Sequence, residues 1–253
     1  MMAAPMTRTL LLAALLSTLP AARPQELSAI VPPSVTQGLQ PFVATYQVFH
    51  DGHELGQATL QLVHVEGARW RIDLAMQGRG LMRLTGLNLQ QSTLFEVDGV
   101  SFRPLAQSTV KRRFFSTRKT VGVYDWILGS ARWTGDVRDG HAGPVALQPG
   151  DMSGLLIDLA VIRDAQPGRM LDYRFVDDGR VRQHHWVVAP QAENIEVGEL
   201  AYQAMRANRI QDGGDDTVLW VASGVPTPIR ILQREDGADA TDLRLVEYKG
   251  AAP

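Results

Sequence analysis

Side chains that could bind a metal ion lie closest together in the segment HDGHE, where His50, His53 and Glu54 flank Asp51-Gly52. His64 follows in the same region. Imidazole nitrogens and carboxylate oxygens are common ligands of zinc and related metals. Polar residues beside a tight turn are more often simply solvated, and we favour that interpretation over a metal site.

The other candidates for chemistry have structural explanations. His184 and His185 are neighbours in a predicted strand, where adjacent side chains point to opposite faces and cannot easily share one ion. Ser153 in GDMSG lacks the Gly-x-Ser-x-Gly spacing of a nucleophile elbow and fits a helix cap better. Gly78-Arg79-Gly80 does not extend to a dinucleotide-binding loop. We therefore expect no catalytic residue, no metal and no cofactor.

One local cluster of charge, KRRFFSTRK, covers residues 111–119. Basic residues around two phenylalanines at a hairpin tip could dock onto anionic lipid headgroups or onto a partner protein. Basic residues also protect strand edges from pairing with other chains, and this structural explanation is the more common one. The residues predicted to form a partner or membrane surface are Arg112, Arg113, Phe114, Phe115 and Arg118.

Most apolar residues alternate with polar ones, which predicts strands with one wet face. Trp70, Ile72, Leu74 and Met76 form one such row, and the residues at 42, 44, 46 and 48 form another. Asp-Gly pairs at 51–52 and 178–179 lie between alternating runs and predict tight hairpins. Further strands are predicted over residues 102–112, 116–126, 217–222, 228–235 and 242–249.

Two segments are open to more than one interpretation. Residues 199–210 are rich in helix formers, but their alternate residues could equally line a strand. Residues 78–92 fit neither period and predict an irregular connection with a short helical turn. A long antiparallel sheet must curl or close. We therefore predict a mainly β fold: a strongly curved antiparallel sheet or incomplete β-barrel with one buried or plugging α-helix.

The predicted helix lies in PGDMSGLLIDLAVIRD, residues 149–164, and is apolar on nearly all sides. Pro149-Gly150 would break the chain, and Asp151 or Ser153 could cap the first turn. A helix on the protein surface would show a polar face, so we expect this one to lie inside the curved sheet. Asp158 is the exception, because a carboxylate in such a helix must reach water or an arginine.

The beginning of the chain predicts export. Arg8 precedes an apolar run from Leu10 to Leu16 that ends near Ala21 and Ala22, the layout of a cleaved signal peptide over residues 1–22. We expect an extended linker over 23–40 and a single β-rich domain over 41–250. No later segment has the roughly 20 apolar residues of a membrane span. The prediction is a soluble periplasmic protein without a transmembrane segment in the mature chain.

Three stretches of the chain resemble one bacterial family. They are PFVATYQVFHDGHELGQATLQL, GDMSGLLIDLAVIRD and VLWVASGVPTPIRILQRE, and in this order they resemble domain-of-unknown-function family 3108 over about residues 41–249. The resemblance implies an exported, β-rich periplasmic domain of Gram-negative bacteria without an established activity. In architecture alone, the predicted fold is also similar to periplasmic lipoprotein carriers, whose unclosed barrel surrounds a hydrophobic hollow covered by helices.

We therefore expect a non-enzymatic periplasmic protein that binds a lipid or another hydrophobic envelope component in the hollow of the sheet. The alternative is a structural or assembly factor that contacts an envelope protein, and an envelope-acting enzyme is a third hypothesis. With 25 basic and 27 acidic residues, the chain gives no reason to expect nucleic-acid binding. The predicted ligand-binding residues are Trp70, Ile72, Leu74, Met76, Leu155, Leu156 and Leu159.

Overall fold

The computed structural model describes residues 38–80, 88–113, 115–210 and 216–250, without the side chain of Arg113. The predicted signal peptide and most of the predicted linker lie outside these residues. Within them the chain forms sixteen strands and one helix, α1 (Gly154–Asp164). The strands are β1 (Phe42–His50), β2 (His53–Glu66), β3 (Arg69–Gly78), β4 (Asn88–Asp98), β5 (Ser101–Arg113), β6 (Ser116–Asp125), β7 (Ser130–Gly135), β8 (Val145–Ala146), β9 (Asp151–Met152), β10 (Met170–Asp177), β11 (Arg180–Val188), β12 (Glu193–Val197), β13 (Leu200–Ile210), β14 (Asp216–Ala222), β15 (Arg230–Glu235) and β16 (Ala238–Gly250).

All the strands belong to one sheet. Its order is β8-β7-β6-β5-β4-β3-β2-β1-β16-β15-β14-β13-β11-β10-β9, with β12 beside β13. Neighbours pair antiparallel except β9 and β10, which are parallel. The sheet is strongly curved. It is not closed into a barrel, because no backbone ladder of the described residues joins β8 to β9. The predicted fold class is therefore confirmed in its open form.

The alternating pattern identifies the inner face correctly. The residues at 42, 44, 46 and 48 of β1 are all buried, as are Ile72 and Met76 of β3. Both predicted Asp-Gly hairpins are present, and Asp51 and Asp178 each have a positive φ of 49° before their glycine. Two consecutive positive φ values match the twist of a two-residue hairpin.

Three details of the sequence interpretation change. Residues 200–210, which were open between helix and strand, form β13, because backbone pairing with β11, β12 and β14 outweighs local propensity. The connection predicted over 78–92 is shorter, since β4 begins at Asn88, and residues 81–87 lie outside the described part. A proline at the start of a strand is typical of a sheet edge, but β15, which follows Pro228, lies between β14 and β16.

Helix α1 lies inside the sheet, as its apolar sequence predicts. Leu156, Ile157, Ala160 and Val161 are almost completely buried and belong to the main hydrophobic core. The helix backbone comes closest to β10 and β5. Because an apolar helix buries side chains in all directions, the sheet must curve around it.

The beginning of α1 differs from the prediction. Ser153 is the N-cap residue, but its side chain makes no capping hydrogen bond. Its hydroxyl lies 3.0 Å from the Thr93 hydroxyl of β4, and both residues are buried. Asp151 does not cap the helix either, because its fully buried carboxylate accepts hydrogen bonds from Arg174 at 2.5 Å.

Side chains join the two arms of the sheet where backbone pairing stops. The Gln107 amide of β5 donates to the Asp177 carboxylate of β10. The Tyr124 hydroxyl of β6 donates to the backbone carbonyl of Val176 at 2.7 Å. Tyr124 and Val176 also belong to a second, smaller core cluster. The unclosed seam is therefore held by polar and apolar side-chain contacts instead of a strand ladder.

Candidate functional site

An apolar cleft lies between one face of α1 and the inner face of the sheet. The helix contributes positions 155, 158, 159 and 162, whose spacing places them on one side of a helix. The strands of the opposite wall are β1, β2, β3, β15 and β16. The described residues that line the cleft are Tyr46, Leu60, Ile72, Leu74, Leu155, Asp158, Leu159, Ile162, Pro228, Ile231 and Leu243.

The cleft is small. Its cavity volume is about 20 Å³, and a single water molecule needs at least about 10 to 15 Å³ by this measure. An acyl chain does not fit into this arrangement. A hydrophobic ligand can enter only if α1 moves away from β1, β2 and β3.

Two polar groups belong to the otherwise apolar lining. Asp158 is half-buried, and burial raises the pKa of its carboxyl from 3.8 to about 7, while the positive charge of Arg209 opposes this shift. Tyr46 is fully buried, and its hydroxyl donates to the backbone carbonyl of Pro228 at 2.8 Å. Burial also raises the pKa of the Tyr46 hydroxyl, so this group stays protonated. The cleft therefore offers one titratable carboxyl and one neutral hydroxyl.

The charge of Arg209 acts on the buried His184 as well as on Asp158. Burial lowers the pKa of His184 from 6.5 to about 4, and the charges of Arg209 and Arg182 add to the effect. Its ring stacks on Phe175, with 4.5 Å between ring centroids. His185 points outward and lies 2.5 Å from the carboxylate of Asp172. The prediction that the two histidines face opposite sides is therefore confirmed.

Four of the seven predicted ligand-binding residues line the cleft: Ile72, Leu74, Leu155 and Leu159. The other three belong to the surrounding core. Met76 is buried in the sheet, and Trp70 is half-buried beside His64 with 4.7 Å between ring centroids. Leu156 is completely buried on another face of α1, because residues 155 and 156 are about 100° apart around a helix.

Sequence reasoning missed the lining residues that come from other strands. Tyr46 and Leu60 were visible as inner-face residues, but their position opposite the helix depends on the curvature of the sheet. Asp158 and Ile162 could have been found from their spacing to Leu155 and Leu159.

The HDGHE residues do not converge on one point. The Glu54 carboxylate accepts a hydrogen bond from Arg79 at 2.9 Å, and His64 lies 2.9 Å from the carbonyl of Gly67. The His50 ring bonds to the backbone carbonyl of Ala240. Among the described residues, no group of three or more histidine, aspartate or glutamate side chains could hold a metal ion.

The basic hairpin, residues 111–119, lies at the end of β5 and β6. Arg112 is exposed, and Phe115 is 99% exposed at the tip. The Arg118 guanidinium is exposed and donates to the backbone carbonyl of Asp136 at 2.8 Å. Phe114 and the side chain of Arg113 lie outside the described part of the structure.

A larger depression of about 210 Å³ lies on the outer face of β2 and β3. Its lining is mostly polar, with Gln57, Thr59 and Gln77 beside Arg79. Its described lining residues contain no cluster of titratable groups, so the cleft beside α1 is the better candidate for a binding site despite its smaller volume.

No helix of the described residues is long and apolar enough to cross a membrane. The model of a family described as "Protein of unknown function (DUF3108)" matches residues 42–243. No curated protein matches the chain.

Proposed function

The chain belongs to the DUF3108 family, which is described only as being of unknown function, and we propose that it is a non-enzymatic periplasmic binding protein. Its ligand is a lipid or another hydrophobic component of the cell envelope. The ligand binds between α1 and the inner face of the sheet, and α1 acts as a movable wall.

The observation that carries this proposal is the chemistry of the cleft. Its walls are mainly aliphatic, and among the described residues that line it the titratable ones are Asp158 and Tyr46. Apolar walls with a few convergent polar groups are typical of sites for small hydrophobic ligands. The apolar part of a ligand would contact the leucine and isoleucine side chains, while its polar end would lie near Asp158.

Two features of the backbone are compatible with movement of α1. The helix backbone comes closest to β10 and β5, so the strands of the opposite wall of the cleft hold it only through side chains. Gly150 and Gly168, with φ values of 90° and 71°, flank the helix on either side and permit backbone changes there. An acyl chain in the cleft would contact the apolar side chains that α1 contacts in the closed form. Burial of the acyl chain contributes about 0.8 kcal/mol per methylene, which offsets the cost of displacing α1.

A disulfide can test the movement directly. The Thr93 and Ser153 hydroxyls are 3.0 Å apart, and the chain contains no cysteine, so Thr93→Cys with Ser153→Cys creates a single possible intramolecular cross-link. We expect the oxidised double variant to lose uptake of a fluorescent fatty acid and to regain it after reduction. The two single variants are the matched controls. Equal uptake by the oxidised and reduced forms would exclude a movable helix.

The filled interior favours one alternative. A cavity with room for about one water molecule is also typical of a protein whose hollow is simply its core, as in a structural or assembly factor. In that case neither redox form would take up the fatty acid, and a partner protein would be recovered by cross-linking in the periplasm.

The periplasmic location rests on the signal-peptide pattern over residues 1–22. Fractionation followed by N-terminal sequencing tests it. Cleavage near Ala22 in the periplasmic fraction is expected, and an uncleaved cytoplasmic protein would contradict it.

A further inference from the structure

We propose that the basic hairpin, through its described residues Lys111, Arg112 and 115–119, docks the protein onto a bilayer with anionic headgroups, with Phe115 entering the interface. This inference is independent of the ligand cleft and rests on the charge, register and exposure of the hairpin.

The first observation is a pair of like charges that face each other. Lys111 of β5 lies directly opposite Arg118 of β6 in the strand register. Like charges at directly opposed positions destabilise a sheet. A polar pair without charge would serve a purely structural hairpin better, so this arrangement indicates an external anionic partner.

The second observation is that the described residues provide no carboxylate paired with the cations of the hairpin. Arg118 donates to a backbone carbonyl of Asp136, and the Asp136 carboxylate accepts from the backbone amide of Lys119. Within the described residues, no carboxylate forms an ion pair with the side chains of Lys111, Arg112, Arg118 or Lys119. The cations of the hairpin are therefore available to bind anions from outside the chain.

The third observation is that the cations occupy both faces of the hairpin. Lys111 and Arg118 share one face, while Arg112 and Lys119 share the other, because Lys119 is paired with Val110. A partner protein that contacts one face would leave half of these charges unused. A hairpin that enters a headgroup layer end-on uses all of them.

The dimensions fit this orientation. Phe115 is 99% exposed at the tip, and Arg112 and Arg118 are each three residues away, which is about 10 Å at 3.4 Å per residue. Apolar groups of interfacial segments enter about 5 to 10 Å below the headgroups. With Phe115 at this depth, the basic side chains lie at the level of the phosphates.

The test is co-sedimentation of the full mature chain with vesicles. Vesicles of phosphatidylcholine with about 30% anionic phosphatidylglycerol, which have a negative surface potential, are compared with vesicles of phosphatidylcholine alone. We expect binding to the anionic vesicles that falls with added salt. Lys111→Gln with Arg112→Gln should lower the partition constant about 25-fold, since each basic residue near the surface contributes about a factor of five.

The matched control is Arg132→Gln with Lys249→Gln, which changes the net charge equally at exposed positions on β7 and β16 and should leave binding unchanged. Phe115→Ser should weaken binding to the anionic vesicles without changing the circular dichroism spectrum. An equal loss in the control pair, binding to neutral vesicles alone, or no vesicle binding at all would overturn the proposal. The last of these results would favour an acidic partner protein.

Discussion

Replacing Asp158 by Asn should stabilise the protein at neutral and alkaline pH and leave its stability almost unchanged in acid. Burial raises the pKa of this carboxyl from 3.8 to about 7 in the folded protein. The unfolded chain therefore releases the proton first as the pH rises. The contribution of Asp158 to stability is fully present below about pH 4 and is lost by about pH 7.

The magnitude follows from the pKa difference. From 3.8 to about 7 is roughly three pKa units, and each unit corresponds to 1.36 kcal/mol, so the wild-type protein loses at most about 4 kcal/mol of unfolding free energy across this range. Partial exposure of the carboxyl lowers the actual value. The Asn variant does not undergo this loss.

His184 changes the unfolding free energy with pH in the opposite direction. Its pKa falls from 6.5 to about 4 on folding, so the unfolded chain binds the extra proton and stability rises with pH between about 4 and 6.5. The gain is about 3 kcal/mol at 1.36 kcal/mol per pKa unit. In the wild type the contributions of Asp158 and His184 largely cancel over this interval. Between pH 4 and 6.5 the unfolding free energy of Asp158→Asn should therefore increase relative to that of the wild type.

The assay is urea unfolding followed by tryptophan fluorescence at pH 4, 5.5 and 8. Asp98→Asn, on a side chain that is 72% exposed, is the matched control and should change stability by less than about 1 kcal/mol at every pH. The burial of Asp177 also raises its pKa, but this group is common to the wild type and both variants. A variant Asp158→Asn that is less stable than the wild type at pH 8 would refute the reasoning, because Asp158 would then act as a stabilising charge beside Arg209.

Three further predictions follow from the core. Leu156→Ala should lower the unfolding free energy by about 3 kcal/mol in chemical denaturation, because Leu156 is fully buried, whereas Leu128→Ala, at a 76% exposed position, should change it little. Arg174→Ala should lower the unfolding free energy by about 3 to 5 kcal/mol, because it leaves the fully buried Asp151 carboxylate without its cationic partner. A change under about 1 kcal/mol would show that water replaces the arginine. Gly122→Ala should lower the melting temperature, because a Cβ atom would lie only 2.5 Å from the indole nitrogen of the β7 tryptophan, and an unchanged melting temperature would contradict this packing.

The regular parts of the fold could be predicted because their causes are local. The alternation in β1 and β3 reports which side of each strand is buried, and the apolar sequence of α1 reports its position inside the sheet. The two-residue strands β8 and β9 are too short to show a period. β13 was ambiguous because it is rich in helix formers while its alternate residues could line one face of a strand, and only its pairing partners decide.

The candidate site was predicted only in part, because it depends on contacts between distant segments. Ile72 and Leu74 were identified from one strand, and Leu155 and Leu159 from the helix. The remaining walls come from strands at both ends of the chain, which meet when β1 pairs with β16. No local pattern contains that information. The tight filling of the hollow could not be predicted either, since it depends on how strongly the sheet curves.

The most direct test of the proposed function is native mass spectrometry of the protein purified from the periplasm without detergent, followed by organic extraction and lipid analysis. The account predicts a stoichiometric hydrophobic adduct that is released on extraction. It also predicts that Leu159→Asp, which adds a second carboxylate to the cleft, reduces the adduct in a protein that remains folded. A clean apoprotein that also takes up no fluorescent fatty acid would contradict the account.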